Sequence, residues 1–109
     1  MPVRSDALLQ RLRQRLATRS IVEKRIIGGI GFMLDGNLCI GTTSTGDLLV
    51  RIDPAREAEA LARPGAYRMH MGNRPMTGYV AITAEGLGDD ALADWLAWSM
   101  KFAETLPPK

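Results

Sequence analysis

The stretch EKRIIGGIGFMLDGNLCIG, residues 23–41, decides the fold, because its glycines admit two opposite readings. Gly28 and Gly29 stand together inside an apolar run, with Gly31 close behind. A phosphate-binding loop of the Walker type needs Gly, four residues, then Gly-Lys-Ser/Thr, and no such string occurs. A dinucleotide fingerprint places its glycines between a strand and a helix, so that the pyrophosphate meets the helix N-terminus. Here the glycines lead instead into Ile30, Phe32 and Leu34, which alternate with Gly31 and Met33 as in a strand. Asp35-Gly36-Asn37 follows as a tight hairpin turn, and residues 38–43 form the return strand. The glycines are therefore read as bending or bulging a long first strand, so that it coils over the helices.

Working outward, Ser44–Asp47 reads as a second turn and residues 48–52 as a third strand, giving an antiparallel meander. On the N-terminal side, Leu8, Leu12 and Leu16 recur every four residues, a narrow apolar stripe on a helix over about residues 7–18, capped by Ser5 or Asp6. Asp53-Pro54 starts a short helix, with a capping carboxylate and proline at the first position, and Pro64-Gly65 ends it. Residues 66–71 form a strand, Gly72–Gly78 a turn or bulged connection, and residues 79–83 the last strand. Asp89 or Asp90 caps a final helix carrying Leu92, Trp95, Leu96, Phe102, Ala103 and Leu106 on one face, and Pro107-Pro108 stops it. The order α-β-β-β-α-β-β-α predicts a single α+β domain over residues 1–109, a two-layer fold with helices on one face of an antiparallel sheet.

With 109 residues, 46% of them hydrophobic and 24% charged, the chain has enough apolar surface for one core. Cys39 is the only cysteine, so no internal disulfide forms, and the N-terminus lacks the apolar run of a signal peptide. A cytoplasmic location and no membrane segment are expected. The net charge of +2 is unevenly spread. Residues 1–25 hold seven basic against two acidic side chains, a local +5, and the remainder carries −3. Such a basic segment is either the solvated edge of a helix or a surface for an acidic partner.

Several stretches resemble the N-terminal domain family of the TfoX (Sxy) bacterial competence regulators: residues 23–41, DLLVRID over 47–53, ALARPGAYRMHMGNRPMTGYVAI over 60–82, and FAETLPPK over 102–109. The most specific pieces are Gly28-Gly29, Asp35-Gly36-Asn37, the Arg74–Tyr79 segment and the Leu106–Lys109 ending. One departure is visible: Ile26-Ile27 stands where the family usually has Met-Phe, and it stays apolar. The resemblance implies a fold of the secretion-chaperone type, α-β3-α-β2-α, and a role in transcription regulation through protein contacts. It brings no catalytic residues. It also implies that full-length regulators carry a second, helical domain beyond the region matched.

The residues offer little for catalysis. Cys39 and His70 would have to meet, with an orienting acid, to form a nucleophilic set. Two such residues cannot complete a usual zinc site. Asp89, Asp90 and Asp94 are explained by the helix dipole. No catalytic, cofactor-binding or metal residues are assigned, and no cofactor is expected. Five residues are candidates for partner contact: Arg4, Arg11 and Arg15 on the basic first helix, Arg74 in the loop before Pro75, and Trp98, off the main stripe of the last helix. Met69, Met71 and Met76 are expected to fill the sheet face against the helices, the alternative being an adaptable contact surface. The expected function is that of a non-enzymatic regulatory or adaptor domain working through protein contacts, as a homodimer. The alternative is a nucleic-acid accessory factor using the first-helix arginines.

Overall fold

The computed structural model describes residues 3–17, 20–26 and 29–108, without the side chains of residues 3–6 and 71. In chain order the elements are α1 (Val3–Leu16), β1 (Ile21–Ile26), β2 (Gly29–Leu34), β3 (Asn37–Thr42), β4 (Leu48–Arg51), α2 (Glu57–Leu61), β5 (Ala66–Met71), β6 (Arg74–Ile82) and α3 (Asp89–Ala103). The strands form one antiparallel sheet in the order β1-β2-β3-β4-β6-β5, with three helices, an α+β fold. The predicted order α-β-β-β-α-β-β-α runs through these elements. The long first strand, expected to bend or bulge at the glycines, is corrected: the chain forms two strands, β1 and β2, paired antiparallel from Ile21↔Leu34 to Ile26↔Gly29. Gly28 lies outside the described residues.

Glycine acts where β2 meets β3. A Cβ on Gly29 would lie 2.0 Å from the Thr42 carbonyl oxygen, and one on Gly41 would lie 2.3 Å from that of Ile30. No side chain fits at either position, so glycine is what lets the two strands cross this closely. The Ile30 amide donates to Thr42 Oγ1 at 3.1 Å, which satisfies a backbone group at the crossing. Further along, Asp35 and Gly36 both take positive φ, 53° and 83°, as a two-residue primed hairpin turn requires. The β2–β3 register then shifts between Phe32 and Met33. This bulge aims the consecutive residues Cys39 and Ile40 at the helices, and both enter the core.

The core lies between the sheet and the helices. From α1 it takes Leu8, Leu9, Leu12 and Leu16, from α3 Leu92, Trp95, Met100 and Ala103, and from the central strands Leu48, Val50, Val80 and Ile82. Fully burying one such aliphatic side chain contributes about 1.5–3 kcal/mol. Asp53 caps as expected: its Oδ1 accepts from the Ala55 amide at 3.0 Å, with Pro54 opening a single 3-10 turn that continues into α2. At α3 the expectation is corrected. Gly88 is the N-cap and makes no side-chain cap bond, and Asp89 and Asp90 sit in the first turn, complementing the helix dipole. The expected connection at 72–78 is also shorter than read, since β6 already starts at Arg74. Pro75 fits there because β4 pairs only with Tyr79–Ile82, which leaves one side of the strand open at Pro75.

Because the β2–β3 crossing has no room for a methyl group, Gly41→Ala is expected to cost about 1–3 kcal/mol. The loss should appear as a lower urea midpoint. An unchanged midpoint would show that the crossing is loose.

Candidate functional site

The helical layer carries most of the predicted contact residues. Arg11 Nη2 donates to Asp89 Oδ1 at 3.0 Å, and Arg15 Nη2 lies 3.7 Å from the same oxygen. These pairs tie α1 to the start of α3, although Asp89 is well exposed and the pairs are individually weak. Arg4 lies in α1 with its side chain outside the described set. Beside these pairs runs an open groove of about 500 Å³ between α1 and α3, lined by Arg15 and Leu16 on one side and by Ala93, Leu96, Ala97 and Lys101 on the other. Its floor is apolar and its rim is charged.

Trp98 is half-buried and stacks on Trp95, with centroids 5.4 Å apart and planes 7° from parallel. The Arg56 and Arg63 guanidinium carbons lie 4.7 and 4.8 Å from its ring centroid. Cation–π contact of this kind clamps the α2 segment to α3. The Arg74 side chain is exposed at the head of β6 and makes no hydrogen bond or ion pair among the described residues.

The opposite face of the sheet has a different character. Leu48 and Val50 join the core under the helices, whereas Leu49 between them faces away, yet is only 5% exposed. It is sheltered in a concave groove of about 480 Å³, with Leu38, Leu49 and Tyr79 among its lining, Ile26 contributed by β1, and Met69 and Met76 by the β5–β6 hairpin. A Cβ on Gly31 would run into the Ile26 and Leu38 side chains, so this glycine lets both lie close over the sheet.

Two polar anchors fix the hairpin that walls this groove. The Glu57 carboxylate is buried, accepts from the Gly78 amide at 2.7 Å, and pairs with Arg68. The Gly78 hydrogen bond, then Arg68, hold its carboxyl below the usual range against the opposing effect of burial. The Tyr67 hydroxyl donates to Asp47, which also accepts from the Ala84 amide at 3.0 Å. Burial, and then this carboxylate, push the Tyr67 phenol up to about 12.

Cys39 and His70 do not meet. Cys39 is fully buried on the helix side, its Sγ 3.1 Å from Met100 Sδ, whereas His70 lines the groove on the other face. The sheet separates them, so they form no nucleophilic pair. Among the described residues no three His, Cys, Asp or Glu side chains converge as a metal site would require. The sequence offers Asn37 only as a turn residue, whereas it opens β3, and it gives no role to Glu57 or Leu49. Buried Asn37 donates from Nδ2 to the Pro107 carbonyl at 2.9 Å, tethering the tail beyond α3. The unbroken apolar run Leu48-Leu49-Val50 was the available signal for a sheet apolar on both faces.

The family model of the TfoX N-terminal domain matches residues 13–103. No curated protein and no solved structure matches the chain.

Since the folded Glu57 carboxyl is held below its ordinary value of 4.5, the stability it contributes is complete above that value. It is lost as pH falls through the lower folded value. Glu57→Gln is expected to reduce stability at neutral pH by about 1–3 kcal/mol and to flatten the acid limb in urea titrations across pH. An acid limb as steep as the wild type would remove Glu57 from this role.

Proposed function

The chain belongs to the TfoX N-terminal domain family, and on that premise we propose that it is a non-enzymatic regulatory adaptor that works through protein contacts, its first partner being a second copy of itself. The observation that carries the reading is the outward stripe of α3. Ala93 and Ala97 lie one turn apart on the wall of the α1–α3 groove, next to Leu96. On the same stripe Asp89 and Asp90 stand at the N-terminal end and Lys101 at the C-terminal end.

This pattern is self-complementary. An antiparallel approach of two α3 helices, crossing between Ala93 and Ala97, brings Lys101 of each copy to the Asp89–Asp90 turn of the other. The alanines allow a close interhelical distance, and the charges form a polar rim around an apolar centre. Neither Asp90 nor Lys101 has an ion pair among the described residues, so neither must give one up. A two-fold contact repeats every pair, so one favourable register counts twice. The nucleic-acid reading ranks second, because Arg11 and Arg15 already face Asp89 and would have to exchange that contact for phosphate.

Sedimentation equilibrium tests the proposal. A concentration-dependent dimer is expected, and Lys101→Glu should weaken it about tenfold, which corresponds to about 1.4 kcal/mol, with the melting temperature unchanged. Adding Asp90→Lys should restore association by exchanging the two signs. A strict monomer that retains duplex DNA through Arg11 and Arg15, with affinity falling steeply with salt, would overturn the adaptor reading.

A further inference from the structure

The concave groove on the helix-free face plays no part in the α3 contact, and its chemistry is of another kind. We infer that it is a binding site for a small, uncharged, mainly apolar molecule carrying one hydrogen-bonding group, in the manner of a medium-chain alcohol. At about 480 Å³ it falls within the range of roughly 300–1,000 Å³ typical of small-molecule sites. Its walls come from distant parts of the chain, Ile26 on the β1 side and Met69 and Met76 on the hairpin side. The sheet is thus curled around a pocket rather than laid open as a flat face.

The lining selects the ligand class. Among the described residues no Arg, Lys, Asp or Glu side chain lines it, and His70 is its one basic group, so it offers no permanent charge to a phosphate, a carboxylate or an ammonium group. Leu38, Leu49 and Ile26 supply apolar surface, and the two methionines supply adaptable surface that fits itself to an irregular shape. Three polar side chains in the lining, Ser44, His70 and Tyr79, have no hydrogen-bond partner among the described residues. They provide the few orienting groups that such sites carry amid an apolar lining. Leu49 supports the assignment from the opposite direction: it is as sheltered as a core residue, yet packs outside the core. A fitting ligand would complete the apolar contacts that the helices provide for Leu48 and Val50.

Titrating the intact protein with N-phenylnaphthylamine, a neutral apolar fluorophore, tests the site. Saturable enhancement with one site per chain is expected, reversed by decanol and at least tenfold less readily by decanoate. Met76→Trp fills the groove and should weaken the probe at least tenfold while circular dichroism keeps the folded signal. Met69→Trp serves as the second filling variant from the neighbouring strand. Lys101→Glu, on the other face, should bind the probe as the wild type does, so this result separates from any change in association. Absence of saturable binding, equal affinity in both folded tryptophan variants, or displacement by decanoate as readily as by decanol would overturn the assignment.

Discussion

The crossing of β2 over β3 is the constraint on which the rest of the architecture depends. At Gly29 and Gly41 each backbone occupies the space where the other strand's side chain would be. This close approach curls one end of the sheet, and the bulge beside Phe32 continues the distortion by aiming both Cys39 and Ile40 inward. A flat sheet of six strands would leave Leu49 and Ala81 in water. In the curled one Leu49 is 5% exposed and Ala81 is fully buried, although neither belongs to the core beneath the helices.

Curling gives the molecule two surfaces of different chemistry. The helix side is closed by aliphatic packing and carries its charges at the rim, where Arg11, Arg15 and Asp89 join α1 to α3. Salt-screened contacts of this sort steer and register a partner more than they hold it. The groove on the other side is mainly apolar, with no Arg, Lys, Asp or Glu among its described lining residues. The two are connected through α2: Glu57 reaches from the helix layer to the Gly78 amide, while Arg56 and Arg63 stack on Trp98. Gly78 immediately precedes Tyr79, which lines the groove, so the buried carboxylate that positions β6 also sets the groove wall.

Local signals in the chain foretold local structure. Leu8, Leu12 and Leu16 gave the buried stripe of α1, Asp35-Gly36 the primed turn, and Asp53-Pro54 the start of the α2 segment, because each is settled by periodicity or by backbone preference within a few residues. The division of the first strand was harder to read, since two adjacent glycines fit a bend, a bulge or a reversal equally well. The partners of Arg11 and Arg15 were out of reach for a different reason. Asp89 lies more than seventy residues away in the chain, and no single-sequence pattern reports such a pairing. The same holds for Glu57 and Arg68, which read as ordinary surface charges on a short helix and an edge strand. Trp98 was legible as marginal to the core, but its stacking on Trp95 between two arginines required the α2–α3 contact. The helix-free groove is assembled from five strands and two of the turns between them, and only the unbroken apolar run Leu48-Leu49-Val50 hinted at it.

That the two faces act separately is the central claim, and methyl-resolved NMR on one labelled sample addresses it most directly. Signals would be followed first on dilution and then on addition of decanol. The methyls of Ala93, Leu96 and Ala97 are expected to move with protein concentration alone, and those of Ile26, Leu38, Leu49 and Met76 with decanol alone. Shifts of both sets in either titration would contradict that separation, and so would a silent groove or a silent α3 stripe.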